Sequence, residues 1–278
     1  MKTKLLAAGL LTSLTLTGCG DSESAGDITV TIAGDITNNT TAPVTDTTDV
    51  VTGLCAAVTE ASFVSFNDDC SQAVVTGTIN TDYSMASGTQ YVLSGVVQVG
   101  SGNKEISSQA EMDLIVSQGV TLTIEPGTDV RGAADGVLLV TRGSKLEAIG
   151  TAAQPITFSS LADENYDGMG EWGGVVIQGF APQYGQGGTG ACFADGESWC
   201  NILGEGGDFV QEYGGNLPAD DSGHIRYVRI AEGGLIAGPN NEINGLTLQG
   251  VGYGTEIEYV QVHGNQDDGI EWFGGTAN

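Results

Sequence analysis

The sequence predicts an all-β solenoid, a chain of short strands wound into stacked coils, and three observations predict it. From Gly119 to Ser160, four runs are rich in β-branched residues and leucine: Val120 to Ile124, Val137 to Thr141, Lys145 to Ile149 and Pro155 to Ser159. Glycine, proline or small polar residues end each run, and no helical period separates them. Their apolar sides therefore have only one another to bury against. Composition agrees, because 44 glycines and only 15% charged residues in 278 suit tight turns between stacked strands better than helices. Finally, short motifs recur along the chain, the mark of a repeating architecture.

Taken in order, the chain begins with Lys2 and Lys4, an apolar run from Leu5 to Leu16, and then Leu16-Thr17-Gly18-Cys19. This is the layout of an export leader, too short to span a membrane and remain there. Residues 1–18 are expected to be removed. The Leu-Thr-Gly-Cys ending resembles the bacterial lipobox, which implies a diacylated Cys19 with palmitate-type chains holding the protein on a membrane. Gly20 in the next position resembles sorting signals for the outer membrane. Residues 19–52 are rich in Thr, Asp, Ser and Asn and read as a flexible tether, with Asp27 to Ala33 as a short strand able to dock.

Residues 53–90 read as an N-terminal capping region, and residues 91–278 as the solenoid. Four cysteines besides Cys19 fall into two local pairs, Cys55 with Cys70 and Cys192 with Cys200. In an exported protein these read as disulfides, each stabilising by about 2 to 3 kcal/mol. The spacing lacks the knuckles of a zinc site, and only His224 and His263 are available beside it.

Three motif pairs set the coil length. Gly174-Val-Val-Ile-Gln-Gly179 recurs as Gly245-Leu-Thr-Leu-Gln-Gly250 at a shift of 71, and Ile225-Arg-Tyr-Val-Arg-Ile230 as Ile257-Glu-Tyr-Val-Gln-Val262 at a shift of 32. Asp167 to Gly174 echoes Asp268 to Gly275, with Glu171 and Glu271 100 apart. A coil of roughly 30 residues, with a side loop of roughly 40 inserted at about 180–222, reconciles the first two shifts. Alternation makes Ile225, Tyr227 and, beyond a bend, Ile230 candidates to point inward, with Ile257, Tyr259 and Gln261 or Val262 in the next coil.

The runs LTIEPGTDVRG, LLVTRGSKLEAIGTAAQPITFSS, EWGGVVIQG, DSGHIRYVRIAEGG, NEINGLTLQGVG and IEYVQVHGNQDDGIEWFGG carry a resemblance over about residues 90–278. They look like a family of right-handed parallel β-helix lipoproteins and secreted proteins common in marine and other Gram-negative bacteria. The resemblance implies fold and cell-surface address and carries no catalytic residues across. Members of that family continue past this point through further coils, so the chain is expected to be C-terminally truncated.

Charge narrows the partners. The chain carries 8 Lys and Arg against 35 Asp and Glu; removing Lys2 and Lys4 with the leader leaves 6 − 35 = −29. A surface this acidic excludes nucleic acid and repels anionic lipid headgroups. Asp267, Asp268 and Glu271 are candidate calcium ligands, matched in the earlier repeat by Asp163, Glu164, Asp167 and Glu171, because hard oxygen donors gathered at a turn suit that ion. Trp172 and Trp272 are candidate sugar-stacking platforms, with packing as the ordinary role. The paired Asp267 and Asp268 resemble the carboxylates of β-helix glycoside hydrolases, but Ile243-Asn-Gly-Leu246 stands where that family has Asn-Thr-Asp, and its downstream motifs are missing. The expectation is a non-enzymatic lipoprotein that binds polysaccharide or another envelope component. A polysaccharide-degrading hydrolase or lyase, and a scaffold or adhesin, are the alternatives.

Overall fold

The computed structural model describes residues 54–162, 165–183, 199–239 and 241–277. The leader, Cys19, the tether, Asp163, Glu164 and Cys192 lie outside the described residues. Strands dominate and stack in parallel into a β-helix with three faces.

One face begins with Gln72–Val75 and continues through Gln90–Leu93, Asp129–Gly132 and Ile156–Ser160. The second is a six-stranded sheet of Thr78–Ile79, Val96–Val99, Val137–Val140, Gly174–Gln178, Leu246–Gln249 and Ile270–Phe273. The third stacks Tyr83–Met85, Thr121–Ile124 and Lys145–Ile149. Two long strands, Gly223–Ala231 and Glu256–His263, run along the third face and turn onto the first. Parallel coils about 4.8 Å apart let each strand satisfy the backbone groups its neighbour would leave bare.

The register shows why these residues were selected. On the second face, Val97, Leu138, Val175, Leu246 and Ile270 align in one inward row, and Ile79, Val99, Val140, Ile177, Leu248 and Trp272 in another. On the first face the inward row is Ala73, Tyr91, Val130, Phe158, Ile230 and Val262. These rows meet in a single core, so each coil buries its apolar side only because its neighbours are present.

Both internal shifts of 71 and 32 are realised, since Val175 pairs with Leu246 and Ile225 with Ile257. The third echo is not. Glu271 stands opposite Thr247 and Trp272 opposite Leu248, whereas Glu171 and Trp172 precede their strand. The reason is local: the Gly-Gly pair leads into Gly174–Gln178 but follows Ile270–Phe273, so similar letters occupy different places in the coil.

The inward candidates also need correction. Ile225, Val228 and Ile230 are buried, while Tyr227 and Tyr259 are not, and Tyr259 is 64% exposed. Tyr227 and Tyr259 have positive φ, 49° and 54°, and this left-handed residue turns the strand between faces and breaks its alternation.

The parallel ladder begins at Gln72, inside the stretch expected to cap the helix. Val64–Phe66 pairs antiparallel with Gln72–Val75 and covers that edge, and the Cys55–Cys70 disulfide ties the preceding helical turn to it. Cys200 is disulfide-bonded as well. A helix, Gln109–Ser117, interrupts the second coil, with Ser108 capping Glu111 N and Glu111 reaching back to Ser107 N. It buries Met112 and Ile115 against Ile106 and Phe180. Among the described residues no helix is long and apolar enough to cross a membrane.

Candidate functional site at the acidic end of the second face

The inserted segment lies against the outside of the second face. Between the strands of its hairpin, Trp199–Leu203 and Glu212–Gly215, Phe209 and Val210 pack with Val137, Leu139, Val176 and Ile243. Polar groups fix the segment. The Gln178 amide donates to Val210 O at 2.9 Å and to Gln249 Oε1 at 3.0 Å, and Gln249 in turn donates to Glu205 O at 2.9 Å. Underneath, the fully buried Arg142 donates to the carbonyls of Gly102, Lys104, Cys200 and Gly214, clamping both insertions to the coils.

A second hairpin, Ile236–Gly238 with Asn241–Glu242, rises from the turn leading into Leu246–Gln249. It is latched to the first insertion, because Asn241 Oδ1 accepts from Gly206 N at 2.7 Å and Gly207 N at 3.3 Å. Between the two hairpins and the end of the sheet five carboxylates come together: Glu205, Glu242, Asp267, Asp268 and Glu271. Burial raises the Glu205 carboxyl above the usual range, and Glu271, Glu242 and Asp267 raise it further. Burial also raises Glu271, with Asp268 and Asp267 adding to it against a hydrogen bond from Asn244 that lowers it. Asn244 Nδ2 donates to Glu271 Oε2 at 2.5 Å from a side chain that is 1% exposed. The backbone approach there is tight: a Cβ at Gly174, whose φ is 142°, would stand 2.1 Å from Asn244 O.

The predicted site residues are thus divided. Asp267, Asp268 and Glu271 join Glu205 and Glu242, which the sequence reading missed because nothing in Gly204-Glu205-Gly206 or Asn241-Glu242 ties them to a distant turn. Asp167 and Glu171 lie on a neighbouring turn. Gly233 O accepts from Gly170 N at 2.8 Å and from Gln266 N at 3.0 Å, so the two acidic turns flank Gly233 as stacked neighbours. Glu232, also missed and fully buried, accepts from Ser160 N and Gly168 N and holds the first of these turns. Among the described residues no three His, Cys, Asp or Glu side chains converge tightly enough to cage a metal ion.

The tryptophans have other roles. Trp172 is completely buried, lies parallel to Phe158 with centroids 6.5 Å apart and donates Nε1–H to Ala231 O at 2.7 Å, so it offers no face to a sugar. Trp272 points along the inward row that includes Leu248 and is 55% exposed. His224 Nδ1 sits 2.9 Å from Glu147 Oε2, whose hydrogen bond raises the imidazole pKa, and His263 Nε2 lies 3.1 Å from Tyr166 O. Both histidines are partnered on other faces.

Fold and site together define a parallel β-helix protein with a group of interacting carboxylates at the end of its second sheet. The model of the family described as pectate-lyase like beta helix domain matches residues 103–278, and the chain belongs to that family. Among curated proteins and among solved structures, none matches the chain.

Proposed function

We propose that the chain is an exported β-helix protein, lipid-anchored through Cys19 to the outer membrane, that binds a polysaccharide at the acidic end of the second face. The observation that carries the reading is the acidic end of the second face: Glu205 and Glu242, on two hairpins latched through Asn241, interact with Asp267 and Glu271 in a domain of the pectate-lyase-like β-helix family. Extended sheets flanked by loops suit an extended polymer, and carboxylates and amides are the groups that hydrogen-bond sugar hydroxyls. The full chain purified in detergent should retard on polysaccharide-containing native gels, release no reducing ends, and lose retardation on Asp267→Asn with Asp268→Asn. Labelled palmitate should enter the protein and be lost on Cys19→Ser; label retained in that variant removes the anchor from the reading.

A second reading, glycoside hydrolysis, is supported by Glu205 and Glu271, two carboxyls that burial and neighbouring acids push above their ordinary range and that lie within electrostatic reach of each other, as paired carboxylates of that chemistry require. Release of reducing ends by the wild type, abolished by Glu271→Gln with the melting temperature preserved, would establish it in place of simple binding. A chain that retards on no polysaccharide and releases nothing would leave the scaffold or adhesin reading.

A further inference from the structure

A cavity of about 350 Å³ lies at the corner where the second face turns into the third, away from the acidic end. Turns of three successive coils form one wall: Asn80 after Thr78–Ile79, Gly100 and Gly102 after Val96–Val99, and Arg142 with Ser144 after Val137–Val140. The insertion that carries the helix Gln109–Ser117 supplies the other wall through Lys104, Ile115 and Gln118. Glycine is required at this corner, because a Cβ at Gly100 would stand 2.0 Å from Ser144 Oγ.

The charge of the cavity is opposite to that of the chain. With 35 Asp and Glu against 8 Lys and Arg, most of the surface is acidic, yet two cations, Lys104 and Arg142, line this cavity and no carboxylate does. Arg131, Lys145 and Arg226 are each paired with a carboxylate. Among the described residues no carboxylate is ion-paired with Lys104 or Arg142; Glu111 and Glu212 act on them from farther away, and neither lines the cavity. Arg142 spends its guanidinium on four carbonyls and so contributes a fixed charge, while the exposed Lys104 ammonium is free to turn towards a ligand. The amides of Asn80 and Gln118 and the Ser144 hydroxyl suit ring hydroxyls, and Ile115 offers an apolar contact to the C–H face of a ring. The volume is near the small end of ligand sites, which fits one ring rather than a stretch of polymer. We propose that this cavity binds one anionic sugar residue, a pyranose carrying a carboxylate or a sulfate ester, and is a site separate from the acidic end of the second face.

The test titrates glucuronate, glucose 6-sulfate and glucose, which differ only at C6, into the full chain in detergent, by calorimetry at fixed ionic strength. The two anions should bind about tenfold more tightly than glucose, corresponding to about 1.4 kcal/mol. Lys104→Met should erase that preference. Lys145→Met, which removes a cation paired with Asp221 on the third face, and Glu271→Gln, at the acidic end, should leave it intact. A preference for one anion alone upholds the inference and tells the acid from the ester. Equal binding of the three sugars, binding of none, or loss of the preference in Lys145→Met or Glu271→Gln overturns it, as does inorganic sulfate binding as tightly as glucose 6-sulfate. Each of these outcomes leaves the reading of the acidic end to its own gel assay.

Discussion

The ring of Tyr227 lies on the ring of Tyr259 with centroids 4.5 Å apart and planes 2° from parallel. The two residues are 32 apart, one coil, and both are in the left-handed conformation that swings their strands from the third face to the first. Arg226 stands over both rings, 5.5 and 5.6 Å from the centroids. The bend therefore has a price in backbone conformation offset by stacking at the coil spacing. Tyr259→Asn keeps a residue that accepts positive φ and removes the stack, a loss of about 1 kcal/mol. For a domain this size the melting temperature should fall by about 2 to 4 °C in calorimetry; an unchanged melt would mean the stack contributes nothing.

Trp172 separates packing from recognition. Trp172→Phe removes the donor to Ala231 O and should destabilise by roughly 1 to 3 kcal/mol, while Trp172→Ala also opens a cavity and should cost roughly 3 to 5 kcal/mol. Polysaccharide affinity of the folded Phe variant should match the wild type in the gel-retardation assay. A weakened affinity at unchanged stability would return this residue to the binding surface.

Arg142 holds the insertions. Burial pushes its pKa down to about 10, yet it remains charged at neutral pH and serves four carbonyls on two insertions. Arg142→Met leaves those oxygens without their donor, so limited proteolysis should cut within the inserted segment at least several times faster than in wild type. Cutting at an unchanged rate would show that Phe209, Val210 and Gln178 are sufficient to seat it.

The foot of the same insertion should titrate. Burial raises the Asp220 carboxyl from 3.8 to about 6, partly opposed by hydrogen bonds from Phe180 N and Ser222 Oγ. A raised acid binds its proton in the folded state first, so the contribution to stability grows as pH falls from about 6 towards 3.8 and is absent above that window. The melting temperature of the wild type, measured relative to Asp220→Asn, should rise as pH is lowered from 7 to 4.5. Parallel curves would show that Asp220 stays ionised.

These residues also show how far the sequence could be read. Apolar runs ended by glycine made the coils legible, and the shifts of 71 and 32 worked because the motifs themselves stack. The Glu171 and Glu271 echo failed because a Gly-Gly pair enters one strand and leaves the other, which letters alone do not distinguish. Tyr227 was misread because one left-handed residue breaks alternation without leaving a glycine to mark it. The helix Gln109–Ser117 did leave a signal, the Ser108-Gln-Ala-Glu111 capping box. At the acidic end of the second face, Asp267, Asp268 and Glu271 could be found as a local cluster. Glu205 and Glu242 reach them from separate hairpins, through a latch at Asn241 that no spacing encodes.

The most direct test of the account is amide hydrogen exchange on the full chain with and without a saturating amount of a polysaccharide that retards it on native gels. Binding at the acidic end of the second face should slow exchange in Trp199–Leu203, Glu212–Gly215, Asn241–Glu242 and Leu246–Gln249. Protection confined to the opposite edge, around Arg226, Tyr227 and Tyr259, would contradict the account and move the binding surface to the stacked tyrosines.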